Sequence, residues 1–246
     1  MPTAPRFGIT AKPLEDPLAY LPCSHILEYQ KNQAIYSPER PCENLYVIIA
    51  GKVMVRRMIA DGERQLLVDI YVVDEFFGNW ALTDSINSYE TAIAVEQNTR
   101  VMTWTDTEIE QLILRRPRLG IALIQMLTRR CINYSRRIES FSSDNIARRL
   151  ARSLIRFSER LGEKSGNGSI QLMPLSHELL AEYVGTSREF VTQYMNQFRR
   201  QGFLRYSRKE IVIWPVAMNE ILLTTWIERS APPGYAAGPL GTRLYE

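Results

Sequence analysis

The chain has 246 residues, 45% of them hydrophobic, with 30 Lys plus Arg against 27 Asp plus Glu and only 13 Gly and 13 Pro. This excludes a disordered or collagen-like polymer and leaves room for two hydrophobic cores. The net charge of +3 is unevenly spread: residues 1–115 carry 10 basic and 16 acidic side chains, residues 116–215 carry 18 and 8, so a polyanionic partner is expected for the second half.

The first 20 residues are Pro-rich and read as an irregular arm. They contain no apolar stretch of the signal-peptide kind, and no run of about 18 apolar residues occurs anywhere, so no membrane span is expected. Cys23, Cys42 and Cys131 show neither a CxxC nor a zinc spacing, which points to a reducing, cytoplasmic setting without a structural metal.

From Ile26 to Trp104 the apolar residues come in short β-branched and aromatic runs: Ile26 to Tyr29, Ala34 to Tyr36, Leu45 to Val55, Gln65 to Val73, Thr91 to Val95 and Val101 to Trp104. Gly, Pro, Asn and Asp punctuate them, and Ala60-Asp61-Gly62 fits a hairpin turn between Val53-Met54-Val55 and Leu66-Leu67-Val68. This pattern predicts a jelly-roll or barrel unit over 21–115.

At Pro117 the period becomes helical. Ile124, Leu127, Cys131, Tyr134, Ile138 and Phe141 follow at intervals of alternately three and four, the a and d positions of a heptad, which predicts a parallel homodimer through a helix spanning 116–143, with an internal core helix of a monomer as the alternative. Leu119, Leu123 and Met126 form a second strip facing the β unit. A further helix, Asn145 to Leu161, precedes a turn-rich loop from Gly162 to Ser169.

Residues 176–200 read SHELLAEYVGTSREFVTQYMNQFRR. Ser176 is a candidate cap for a first helix with inner face Leu180, Ala181 and Val184, Gly185 supplies a tight turn, and Thr186 with Glu189 makes a capping box for a second helix. Val191, Tyr194, Met195 and Phe198 form the inner stripe of that helix, leaving Ser187, Arg188, Glu189, Thr192, Gln193 and Asn196 outward. Such a face suits the major groove, because Arg pairs bidentately with guanine, Gln and Asn with adenine, and Glu accepts from cytosine. Phe203 to Tyr206 and Glu210 to Trp214 add a strand pair whose loop carries Arg208 and Lys209, so 144–215 reads as a winged helix-turn-helix. Ser176, Arg208 and Lys209 are expected on the DNA backbone. Residues 216–246 are a C-terminal extension, with Ile221, Leu222, Trp226 and Ile227 on a short helix and a loose tail after it.

In this order the chain resembles the cyclic-AMP receptor and fumarate-nitrate reductase regulator (CRP/FNR) family over about residues 25–215. The resemblance rests on Leu45 to Val53, Phe76-Phe77-Gly78, the helix from Pro117, and Val184-Gly185-Thr186-Ser187-Arg188-Glu189-Phe190-Val191. It implies an α+β chain with an N-terminal cyclic-nucleotide-binding-like β-roll, a long dimerisation helix and the winged helix-turn-helix, acting as a homodimeric transcription regulator on a near-palindromic duplex. Arg188 and Glu189 fall on the family's base-contacting positions, and Gln193 stands where the cyclic-AMP receptors carry Arg, implying an altered half-site. Some family activators touch RNA polymerase where the loop 162–169 falls, so polymerase is a candidate partner.

The resemblance places an effector pocket at Gly78, Asn79, Trp80, Ser88, Tyr89, Tyr134 and Ser135. The family's nucleotide pocket uses Glu after the Gly and an Arg-Ser pair for the phosphate; here Gly78-Asn79 and Ser88-Tyr89 stand instead, so cyclic AMP in the usual mode is not expected. Three Cys fall short of an iron-sulfur ligand set, and His25, His177 and the Met1-Pro2 terminus supply no haem pair. No cofactor is expected; the small-molecule effector is left unassigned. Without a phosphate loop, HExxH or GxSxG the chain does not read as an enzyme. The alternative from another class is a ligand-binding or interaction dimer whose helix-turn-helix no longer reads DNA.

Overall fold

The computed structural model describes residues 14–59, 64–78 and 89–223. Eight strands come first: β1 (His25–Tyr29), β2 (Ala34–Tyr36), β3 (Asn44–Ala50), β4 (Val53–Met58), β5 (Gln65–Tyr71), β6 (Phe76–Phe77), β7 (Glu90–Ala94) and β8 (Thr99–Thr105). They form two antiparallel sheets in the orders β1-β8-β3-β6 and β2-β7-β4-β5. The apolar run read as Leu45 to Val55 is two strands: at Gly51 the chain passes from one sheet into the other, with φ at +83° and a position where a Cβ would stand 2.5 Å from Thr99 Oγ1, a close approach only Gly tolerates. The proposed Ala60-Asp61-Gly62 turn lies outside the described residues, although β4 and β5 do pair antiparallel from Val53↔Tyr71 to Met58↔Gln65.

Strand β3 is buried on both faces, and its side chains alternate between two cores. Tyr46 and Ile48 point into the roll with Tyr36, Tyr71 and Phe77, while Leu45 and Val47 point outward to Trp104, Ile109, Leu119 and Leu123. A period-two alternation inside a continuous apolar run is what a strand covered on both sides requires.

The outer layer begins with α1 (Asp106–Arg115), a helix inside the span assigned to the β unit. Thr105 and Glu108 close a capping box at its start, a T-x-x-E signal present in the sequence. The long α2 (Pro117–Ser143) follows with Pro117 in its first turn and Leu119, Ala122 and Leu123 buried against the roll. Asn145 caps α3 (Ile146–Leu161), accepting from Arg148 N.

The remaining elements are β9 (Glu163–Lys164), β10 (Ile170–Leu172), α4 (His177–Val184), α5 (Arg188–Arg200), β11 (Leu204–Tyr206), β12 (Ile211–Ile213) and α6 (Pro215–Leu223). The segment 162–169, read as loop throughout, contributes β9 to a sheet of order β11-β12-β10-β9. Helix α6 packs on α3 through Met218 and Ile221, and Arg148 donates to Leu222 O at 2.7 Å; Trp226, Ile227 and the tail lie outside the described residues. The core of this C-terminal unit also contains Leu67 and Ile70 of β5, so strand β5 joins it to the roll.

Candidate nucleic-acid interface and sensor

Helix α4 starts at Ser176, whose hydroxyl accepts from Leu179 N at 3.1 Å, and ends at Gly185 in the left-handed conformation, φ +70°. Gly185 N and Thr186 N both return to Ala181 O, at 2.9 and 3.1 Å. Thr186 is therefore used in closing α4. The cap of α5 falls one residue later than expected, on Ser187, which accepts from Phe190 N and bonds the Glu189 carboxyl, holding that carboxyl below its ordinary pKa. Ser187 is thus a cap exposed beside the reading face.

On α5, Val191, Met195 and Phe198 are fully buried, while Arg188, Glu189 and Gln193 are exposed. Two expected readers are engaged within the fold. Thr192 Oγ1 donates to Arg188 O at 2.9 Å, and it therefore accepts from the Nδ1–H of His177 at 2.8 Å. Asn196 Oδ1 accepts from the Tyr206 hydroxyl at 3.0 Å. The His177 ring meets that of Tyr206 edge-on, centroids 5.4 Å apart. Helix α4, helix α5 and the wing strand β11 are therefore locked into one unit by a polar network that sequence reading missed. Burial, reinforced by the Arg188 charge, lowers the His177 pKa from its ordinary value.

In the wing, Ser207 N donates to Glu210 O at 2.9 Å and Lys209 N to Ser207 Oγ at 3.1 Å. The turn leaves Arg208 and Lys209 exposed. Ser176, Arg208 and Lys209 all lie in the same unit as the exposed face of α5, which gives that unit charges suited to phosphates flanking a groove.

The strip expected as a dimer seam is divided. Ile124 and Ile138 are each 65% exposed, and Ile121, Ile132 and Phe141 are exposed too, as is Cys131. Leu127 and Tyr134 are half-buried, and the Tyr134 hydroxyl engages that of Tyr71 in the roll. Phe141 packs against the turn at Gly185, with the Arg149 guanidinium 5.2 Å from its ring. Leu127 and Tyr134 thus turn partly toward the protein's own interior, Phe141 leans on the Gly185 turn while staying exposed, and the outward line runs through Ile121, Ile124, Cys131 and Ile138.

Among the effector candidates, Asn79, Trp80 and Ser88 lie outside the described residues. Gly78 has φ +76° and closes on Asn44 O, Tyr46 and Cys42. Tyr89 is 63% exposed, and the Ser135 hydroxyl is spent on Cys131 O at 2.9 Å on the solvent face of α2; neither faces the roll interior. That interior holds four rings in contact: Tyr46 and Phe77 at 5.0 Å, with Tyr71 and Tyr36 at 5.9 and 6.2 Å from Phe77. Burial pushes the Tyr46 phenol up to about 12 and Tyr36 well above its ordinary value, so both phenols stay neutral. Beneath the roll a cavity of about 500 Å³ is lined by Asp69, Tyr71, Glu75, Arg130, Tyr134 and Arg160. His25 is exposed on β1, and no metal-ligating cluster occurs among the described residues. No described helix is long and apolar enough to cross a membrane.

Residues 26–116 match the family model for a cyclic nucleotide-binding domain and residues 148–215 that for a Crp-like helix-turn-helix domain. The chain is 25% identical over 187 residues to the CRP-like cAMP-activated global transcriptional regulator of Mycobacterium tuberculosis, covering 76% of this chain and 83% of the relative. It is 24% identical to the global nitrogen regulator of Synechococcus elongatus, covering 79% and 88%. Among solved structures, FixK2 from Bradyrhizobium japonicum matches with a TM-score of 0.67 at 20% identity, covering 80% of this chain and 96% of that one.

Proposed function

Because the chain belongs to the CRP/FNR family of transcription regulators and is not an enzyme, we propose that it acts as a homodimer that reads a near-palindromic duplex, one α5 in each of two successive major grooves. The observation that carries this reading is the division of α5: Val191, Met195 and Phe198 are fully buried, and Arg188, Glu189 and Gln193 project from the opposite face. Arg188 pairs with guanine, Gln193 with adenine, and Glu189 accepts from cytosine, while Arg208 and Lys209 neutralise phosphates. The exposed line of Ile121, Ile124, Cys131 and Ile138 is the surface on which a second copy docks. The protein works in the cytoplasm, where its target is.

The sensor responds to something other than cyclic AMP held in the usual way. Supporting this, Tyr36, Tyr46, Tyr71 and Phe77 pack together in the roll interior, and the sequence has Asn79 after Gly78 and Ser88-Tyr89 where the family's nucleotide pocket has Glu and an Arg-Ser pair. The exposed turn between β9 and β10 is the surface assigned to RNA polymerase. Substitutions at Gly166 and Asn167 that reduce run-off transcription while leaving DNA binding intact support activation; unchanged output disposes of it.

Fluorescence anisotropy with labelled promoter duplexes tests the main reading. Salt-sensitive binding that survives excess competitor DNA supports it. Equal affinity for every duplex favours a dimer that no longer discriminates sequence.

A further inference from the structure

Strand β5 is the outer strand of its sheet. Its pairing with β4 steps from Val55↔Asp69 to Arg56↔Leu67, so Val68 is an extra residue, a bulge that turns backbone carbonyls away from the ladder. Tyr183 O, in the last turn of α4, likewise lies beyond the reach of the helix's own N–H groups. One side chain serves both. Arg137 of α2 donates to Leu67 O and Val68 O, each at 3.0 Å, and to Tyr183 O at 2.8 Å. Its guanidinium stacks on the Tyr183 ring at 4.0 Å.

Further contacts flank this staple. Asp69, 6% exposed, is held by Arg160 at 2.7 Å and Arg156 at 3.3 Å, and Arg56 pairs with Glu182 of α4 at 3.0 Å. These close the outer edge of the sensor sheet against the DNA-reading unit. Arg137 is also the neighbour of Ile138, which is 65% exposed on the outward line of α2.

We propose that Arg137 is a positioning residue that sets the half-site separation the protein accepts, by tying the C-terminal end of α4 to the bulged edge of sensor strand β5. The link is direct and within one protomer, in parallel with any coupling through paired α2 helices. An effector that shifts β5 moves the reading unit through it. A planar guanidinium spans three carbonyls on two elements, whereas a Lys ammonium concentrates its donors on one atom and cannot reproduce the staple.

This inference rests on the DNA-reading function, and the test keeps the two apart. Wild type and Arg137→Lys are titrated with duplexes whose two half-sites are moved by one or two base pairs, each step changing separation by about 3.4 Å and rotation by about 34°. The wild type is expected to lose about tenfold or more in affinity at two base pairs from its optimum, the variant about threefold or less, with equal affinity of both for a single half-site. An equally steep profile in the variant overturns the proposal, and so does loss of single-half-site binding, which makes Arg137 a folding residue only. Failure of the wild type on every duplex rejects the DNA reading instead. The tie itself is then judged without DNA, by pulsed electron paramagnetic resonance between labels on Cys23 and Gln201→Cys, with Cys131→Ser and excess unlabelled protein. A narrow wild-type distance distribution that broadens in Arg137→Lys supports the tie; identical distributions overturn it.

Discussion

Gly185, in the turn between α4 and α5, lies against the ring of Phe141 near the end of α2: a Cβ at position 185 would stand 2.8 Å from Phe141 Cε1. With φ at +70°, the backbone favours Gly here, and an added Cβ would also have to displace the Phe141 ring. Gly185→Ala is expected to cost roughly 1–3 kcal/mol of stability in urea denaturation. Phe141→Leu in the same background should recover part of that loss, because it relieves the contact and leaves the left-handed backbone strained. Full recovery would show that φ contributes nothing.

Arg188 and Arg208 are expected to fail in different ways. Arg188→Ala removes a base contact, costing about 1–3 kcal/mol on the specific site and relaxing preference at one base pair. Arg208→Ala removes a phosphate contact, weakening all sequences alike and reducing the salt slope by about one unit. Anisotropy titrations on matched and substituted duplexes across salt concentrations separate the two patterns. A shared pattern contradicts the assignment.

Ile124 and Ile138 are each 65% exposed in the single chain, so replacing either with Asp leaves the protomer's core untouched. The doubly substituted protein should sediment as a monomer with wild-type helical content. Its affinity for a two-half-site duplex should fall by about a hundredfold or more, as the second contact ceases to be intramolecular. Dimeric sedimentation would relocate the interface.

His177 makes the DNA-reading unit sensitive to acid. Its folded pKa is lowered from the ordinary 6.5 by burial and then by Arg188, with Glu178 exposed beside it. Above the unfolded value the imidazole is neutral in both states and contributes no pH dependence. As pH falls below it, the unfolded chain takes up the proton more readily, and stability is lost. Melting temperatures should drop between about pH 7 and about pH 5.5, and His177→Gln should flatten that part of the profile. An unchanged profile would place the titration elsewhere.

The architecture was legible where local rules are strong. Alternating short strands, the helical period from Pro117 and the Ser176 cap name their elements, and Gly185 names its turn. Helix α1 is hard to see in the sequence because it begins directly at the end of β8, with no loop between, and has one buried residue, Ile109. The sequence points to Thr186 as the α5 cap, one residue early, because Thr186 and Ser187 are chemically alike; what separates them is that Thr186 N completes α4. Thr192 and Asn196 read as outward polar residues, since nothing local reveals that His177 and Tyr206 claim them. Arg137 is the extreme case: on a helix rich in Arg it reads as a solvated charge, and its sensor partners lie 69 and 70 residues away in sequence.

The most direct measurement is selection from a randomised duplex pool by the wild-type protein, with the enriched sequences read out. Two copies presenting α5 to one duplex should enrich an inverted repeat with half-site centres about 34 Å apart. Arg188→Ala should enrich the same repeat with one base pair per half-site no longer specified. Enrichment of a lone, unrepeated element, or of the same fully specified repeat by the variant, would contradict the account.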